Sequence, residues 1–165
     1  MPEIRRALPT DREAIWDIIG PVIRAGETYT YDADWAKDDA LAYWMGDDKH
    51  TYVALEGGQL LGTYYLRTNQ MGGGRHVCNC GYMTAEAARG KGIAGAMCEQ
   101  SQTVARELGY KAMQFNFVVS TNVGAVRLWQ KLGFTIVGTL PKAFEHPTEG
   151  FVDAHIMYKW LADRD

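Results

Sequence analysis

The stretch Arg89-Gly90-Lys91-Gly92-Ile93-Ala94-Gly95 constrains what this chain can fold into more than any other. It follows a strand-like apolar run, His76 to Thr84, and opens a helix-patterned run, Ile93 to Leu108. A glycine-rich turn from strand into helix leaves the first N–H groups of the helix without intrahelical acceptors. Those donors, with the positive end of the helix dipole, make a pocket for an anion. Gly90 and Gly92 permit close backbone approach, and Arg89 and Lys91 bring two cations to the same turn. The spacing predicts a phosphate cradle.

Two familiar phosphate loops fit it poorly. As Gly90-x-Gly92-x-x-Gly95 the stretch matches the dinucleotide fingerprint. That fold places the motif at its first strand, with an acid about 20 residues on. In this chain the motif lies past the middle, and Lys111 to Phe117 holds no carboxylate. A triphosphate loop needs Ser or Thr after Gly-Lys, where Gly92 stands. A purely structural turn is the plain alternative.

At 165 residues the chain is expected to form one domain, residues 1–165. A net charge of −3 argues against nucleic acid as the main partner. No apolar run reaches bilayer-spanning length, and the charged start Met1 to Arg6 lacks a signal peptide's apolar core. A cytoplasmic protein without a membrane partner is the expectation. Cys78 and Cys80 face the same side of a strand at an awkward spacing for a bridge, and Cys98 is a third, so reduced thiols are predicted. His50, His76, His146 and His155 offer no pair at metal-site spacing, so no metal is expected.

Read in order, Glu3 to Leu8 suggests a first strand, and Thr10 with Glu13 a capping box for a helix starting at Asp11. Gly20-Pro21 is expected to break that helix. Gly26 to Tyr31 fits neither period; Glu27, Tyr29 and Tyr31 on such a loop can line a small-molecule site or simply pack on the core. A second helix is suggested from Asp34 to Met45, and strands from Thr51 to Glu56 and Leu60 to Thr68, joined at Gly57-Gly58. After the cradle, Ile93, Met97, Val104 and Leu108 share a helix face, and Gly109 fits a left-handed cap. Lys111 to Val119 reads as a central strand, followed by a helix with Ala125, Leu128, Trp129 and Leu132 on one face. Phe134 to Leu140 and Val152 to Trp160 complete the strands, around a loop holding Pro141, Glu145, His146 and Pro147. This order predicts an α+β, or mixed α/β, single domain.

A second motif lies downstream: Asn122-Val-Gly-Ala125-Val-Arg-Leu128-Trp129-Gln-Lys-Leu-Gly133-Phe134. With Arg-x-x-Gly-x-Ala at Arg89 to Ala94, it resembles the paired motifs of the GNAT family of N-acetyltransferases. Within that family, Gly81-Tyr82 after His76 to Cys80, and Phe115-Asn116 before Thr121-Asn122, resemble the acetyltransferases of proline analogues (the azetidine-2-carboxylate type). The resemblance implies a mixed, mostly antiparallel sheet of about seven strands flanked by about four helices, its fourth and fifth strands splayed. It implies acetyl-CoA as cofactor, its diphosphate on N–H groups from Arg89, Gly90, Lys91, Gly92, Ile93, Ala94 and Gly95, and its arm pairing near Tyr82, Met83 and Thr84. A backbone N–H near Met83 then stabilises the oxyanion. Asn122 is placed at the cofactor, and a possible homodimer is implied.

The acceptor amine must lose a proton, since an alkylamine with pKa near ~10 is charged at pH 7. Glu27, Asp153 and His155 are the candidate bases. Trp129 stands where the family often has a tyrosine; its indole is no acid at neutral pH, so it reads as a core or cofactor-packing residue. Asn79 and Asn116 are costly inside apolar strands unless partnered. They are candidates to hold the acceptor, with Tyr29 and Tyr31, or else to satisfy backbone opened by the splay. The resulting expectation is acetyl transfer to the primary or secondary amine of a small molecule, an amino acid or analogue. A protein or peptide N-acetyltransferase and a non-catalytic acyl-CoA sensor are the alternatives.

Overall fold

A computed structural model describes residues 1–163. Seven strands form one sheet in the order β1-β2-β3-β4-β5-β7-β6. They are β1 (Glu3–Arg6), β2 (His50–Glu56), β3 (Gln59–Thr68), β4 (Val77–Thr84), β5 (Ala112–Val119), β6 (Thr135–His146) and β7 (Gly150–Trp160). The helices are α1 (Arg12–Ala25), α2 (Lys37–Trp44), α3 (Ile93–Glu107) and α4 (Val123–Lys131). All neighbouring strands run antiparallel except β4 and β5, which are parallel. No helix among the described residues is long and apolar enough to cross a membrane.

Strand alternation sorts the core into two faces. Ile15, Ile18, Ile19 and Ile23 of α1, with Leu41 and Trp44 of α2, pack on Val53, Tyr65 and Met83. Ile93, Met97 and Val104 of α3, with Trp129 of α4, pack on Tyr64, Leu66, Cys78, Cys80 and Phe115. Cys78, Cys80 and Cys98 are buried thiols, the first two on one face as their spacing predicts.

Several local expectations are corrected. The carboxylate of Asp11, not Thr10, takes the entry to α1: it accepts the Leu8 N–H at 2.7 Å and is gripped by Arg5 at 2.7 and 3.0 Å. Helix α1 runs unbroken through Pro21, because its isoleucine stripe is buried on both sides of the proline and Gly20 lets the Trp16 ring lie against it. The second helix starts only at Lys37, leaving Trp35 before it. Leu108 caps α3 and is 46% exposed, so it is not part of that helix's buried face. The expected loop after Leu140 is instead strand: β6 continues through a register break at Pro141 to His146.

Candidate active site

Pairing of β4 with β5 runs from Val77, Cys78 and Asn79 to Ala112, Met113 and Gln114, and goes no further. Just past that point β5 carries a bulge. Phe115 pairs with Met157 and Val118 with His155, so Asn116 and Phe117 share a single opposite position. A bulge bends its strand, and β5 turns away from β4 to leave a V-shaped gap whose apex is Asn79. A cavity of about 820 Å³ fills the gap and both of its sides, within the usual range for small-molecule sites.

One end of the cavity is the glycine turn. Gly90 and Gly92 sit at φ 79° and 78°, in the left-handed region, and Gly92 is the N-cap of α3. An added Cβ at either would meet nothing within 4 Å, so these glycines serve the backbone path and the open space before it, not packing. The N–H groups of Arg89 and Lys91 are spent on Glu86 and Ala88 carbonyls, at 3.2 Å each. The amide of Ala96 is the first to reach back to Gly92, at 3.0 Å, so the amides of Ile93, Ala94 and Gly95 head the helix without intrahelical acceptors. Donors of this kind, facing open space, suit a phosphate. Arg89 lines the cavity, whereas Lys91 is exposed and outside its lining.

Along the gap the register corrects the expectation for Met83. Tyr82 turns both its N–H and its C=O away from β3, to the hydroxyl of Tyr29. That hydroxyl accepts from the amide at 2.9 Å and donates to the carbonyl at 2.6 Å. Backbone polarity alternates along a strand, so the Met83 amide, opposite Thr63, belongs to the ladder with β3. The gap-facing amides are those of Tyr82 and Thr84. Met83 contributes a buried side chain to the core beneath α1. On the opposite wall Trp129 is 8% exposed, its ring 5.1 Å from Tyr82 and 5.2 Å from Phe115. Asn122 is the N-cap residue of α4, yet its side chain makes no capping hydrogen bond and it lines the cavity.

The other end is polar and aromatic. Tyr29 and Tyr31 stack at 5.5 Å, and Tyr43, Tyr65, Arg67, Asn79, Asn116 and His146 complete it. Burial pushes the Tyr29, Tyr31 and Tyr65 hydroxyls far above the ordinary phenol range, so they stay protonated; the Tyr29 proton is already given to the Tyr82 carbonyl, which leaves that oxygen to accept. Asn79 and Asn116 both lie here but are partnered within the protein. Asn79 donates to the Gln114 carbonyl at 3.0 Å; Asn116 accepts from the Gln114 amide at 2.9 Å and donates to Asn69 at 2.7 Å. Each amide nitrogen keeps a second N–H.

Of the candidate bases, only Glu27 lines the cavity. Asp153 instead accepts the Lys142 N–H at 2.9 Å, holding the β6 register break where Lys142 takes φ 52°. His155 is bound to Thr139 at 2.9 Å on the β6–β7 surface. Residues that sequence reasoning passed over are Tyr43, Tyr65, Arg67 and His146. Only His146 had a signal, as part of the segment before Pro147. Its Nδ1 accepts the Thr148 and Glu149 N–H groups, both at 3.2 Å, which leaves Nε2 carrying the proton.

A parallel strand pair opened beside a glycine-rich helix start, over a cavity with one end of unpaired helix-start amides and one polar aromatic end, is the frame of an acetyltransferase-type domain. The chain belongs to the acetyltransferase (GNAT) family, whose sequence model matches residues 13–134. A GCN5-related N-acetyltransferase from Kribbella flavida is 40% identical, with a TM-score of 0.92 over 96% of this chain and 97% of that one. The N-acetyltransferase aca1 of Schizosaccharomyces pombe is 37% identical over 98 residues, 59% of this chain; the match spans only about half of that protein, 47%. A phosphinothricin acetyltransferase from Sinorhizobium meliloti, solved in complex with acetyl-CoA, shares the fold at 20% identity, with a TM-score of 0.85 over 98% of this chain and 89% of that one.

Proposed function

We propose that this chain transfers the acetyl group of acetyl-CoA to the amine of a small molecule, an amino acid or amino-acid analogue, by direct attack. The observation that carries the reading is the gap itself, which joins a backbone anion cradle to a polar acceptor end through one opening in the sheet. The open amides of Ile93, Ala94 and Gly95, with Gly90, Gly92 and Arg89, fit the diphosphate of coenzyme A. When bound, the thioester supplies an activated acyl group. The Thr84 amide faces the arm and the developing oxyanion, joined by the Tyr82 amide only when it exchanges the Tyr29 hydroxyl for the ligand; Asn122 reaches in from its uncapped position, and Trp129 packs beside them. Losing one oxyanion donor costs about a hundredfold or more in comparable enzymes.

Glu27 is the carboxylate placed to take the acceptor's proton, directly or through water. The second N–H groups of Asn79 and Asn116, with Tyr29 and Tyr31, hold the acceptor. The narrower likeness to proline-analogue acetyltransferases rests on the two asparagines. A second reading, an acyl-CoA sensor, is favoured by one observation: the Tyr82 amide is already held by Tyr29.

Thiol release from acetyl-CoA across amino acids, polyamines, aminoglycosides and peptides, with CoA binding measured in parallel, tests both. Amino acids are expected to give the highest kcat/KM. Peptides outperforming them would overturn the acceptor, and CoA binding without release to any amine would favour the sensor.

A further inference from the structure

At the apex of the gap, two cations crowd the same pair of tyrosine rings. The Lys49 ammonium lies 3.8 Å from the Tyr43 ring centre and 5.7 Å from that of Tyr65. The Arg67 guanidinium lies 5.9 and 5.8 Å from the same two centres. Among the described residues one carboxylate serves them: Asp48, whose oxygens stand 3.0 and 3.1 Å from the Lys49 nitrogen. Among the described residues no carboxylate makes an ion pair with Arg67. Its one side-chain hydrogen bond is a long one, from Nε to the Asn79 oxygen at 3.4 Å, so both terminal nitrogens have donors to spare.

Lys49 is buried behind Tyr43, its side chain 2% exposed, and it does not line the cavity; Arg67 does. The lining holds one other guanidinium, Arg89, in the phosphate cradle. Arg67 is opposite Asn79 in the sheet, and β4 runs five residues from there to Thr84, about 17 Å of strand, before the cradle begins. The cleft therefore carries a cation at each end, and the second is too far away to serve the diphosphate held by the first.

We infer that Arg67 is the specificity-determining residue of the acceptor end, its guanidinium receiving a carboxylate carried by the amine substrate. This rests on the acetyl-transfer reading and narrows it to anionic acceptors. The planar fork offers two parallel N–H donors to a carboxylate, a pairing that a neutral amide cannot match. Asn79 anchors Nε and so aims the fork, while the rings of Tyr43 and Tyr65 hold the guanidinium against the wall. Asn79 then acts on the acceptor through Arg67 as well as by its own spare N–H.

The test compares free L-amino acids with their carboxamides as acceptors, in the wild type, Arg67→Gln and Arg67→Lys, together with CoA affinity in each. The acids are expected to exceed the carboxamides by about tenfold or more in kcat/KM. Arg67→Gln should erase that ratio, Arg67→Lys should keep only a minor part of it because an ammonium has no planar fork, and CoA affinity should stay within about twofold throughout. Carboxamides serving as well as acids in the wild type, or an unchanged ratio in Arg67→Gln, would overturn the inference. CoA binding with no turnover of any acid would also overturn it while leaving acetyl transfer to other amines open. Failure to bind CoA would instead remove the functional reading beneath it.

Discussion

At one end of the cleft the groups facing the ligand space are main-chain amides of a single helix start, Ile93 to Gly95, beside the Arg89 side chain; at the other they are side chains drawn from six segments. Those side chains are Tyr29 and Tyr31 from the loop after α1, Tyr43 from α2, Tyr65 and Arg67 from β3, Asn79 from β4, Asn116 from β5 and His146 from β6. The first end depends on backbone conformation, which two glycines at positive φ secure. The second depends on tertiary packing, so its chemistry can change one residue at a time while the cradle stays the same.

If the two ends are separable, Glu27→Gln should show the largest effect and show it on chemistry alone. Its kcat/KM at pH 7 is expected to fall by about 10²- to 10⁴-fold, the usual worth of a positioned base, with CoA affinity unchanged. A loss below about fivefold would move the proton elsewhere. Gly92→Val should break the opposite end. Forcing a β-branched residue to φ near 78° costs about 1–3 kcal/mol and disturbs the open amides, so CoA affinity is expected to drop by about ten- to a hundredfold by calorimetry. Asn116→Ala sharpens the comparison further. Its acceptor KM is expected to rise by about tenfold while the CoA dissociation constant holds, because its hydrogen bonds run to Gln114 and Asn69 and none to the glycine turn.

The smallest effect is expected from Asp11→Asn, which lies at neither end. Its hydrogen bonds from Arg5 hold the Asp11 carboxyl below the usual carboxylate range. A depressed carboxyl stabilises the fold above its ordinary pKa near ~3.9, and that stability is lost as pH falls through the folded value. Thermal unfolding should show the variant less stable by about 1 kcal/mol at neutral pH, with the gap closing below pH ~4. Activity at pH 7 well below the melting temperature should be untouched.

The contrast between the ends also explains what the amino-acid order disclosed. Arg89 to Gly95 and Asn122 to Phe134 are contiguous, so their spacing alone predicts a turn, a helix start and an anion pocket. Asn79 and Asn116 stood out because amides inside apolar strands are costly. Arg67 gave no such sign: an arginine near the end of a strand ordinarily faces water, and its place is set by Tyr43 and Asn79, far off in sequence. The direction of the Met83 amide was equally hidden, since alternation shows which face a side chain takes but not which neighbour the backbone serves. Composition also misled at Pro21, where buried isoleucines on both sides outweigh the loss of one helical hydrogen bond.

The two-against-one count at Asn116 and Phe117 sets what the opening in the sheet depends on. The cleft is kept open by chain length, not by repulsion between its walls: one surplus residue, held in place by the continued pairing of Val118 and Val119 with β7. Shortening that segment by a single residue would let the two parallel strands close on each other. Phe115 and Val118 already share one face across the bulge, so the loss would keep the buried side chains where they are and convert the cleft into continuous wall. Substitutions along the cleft leave that count unchanged, which gives the acceptor end wide latitude to vary within an unchanging frame.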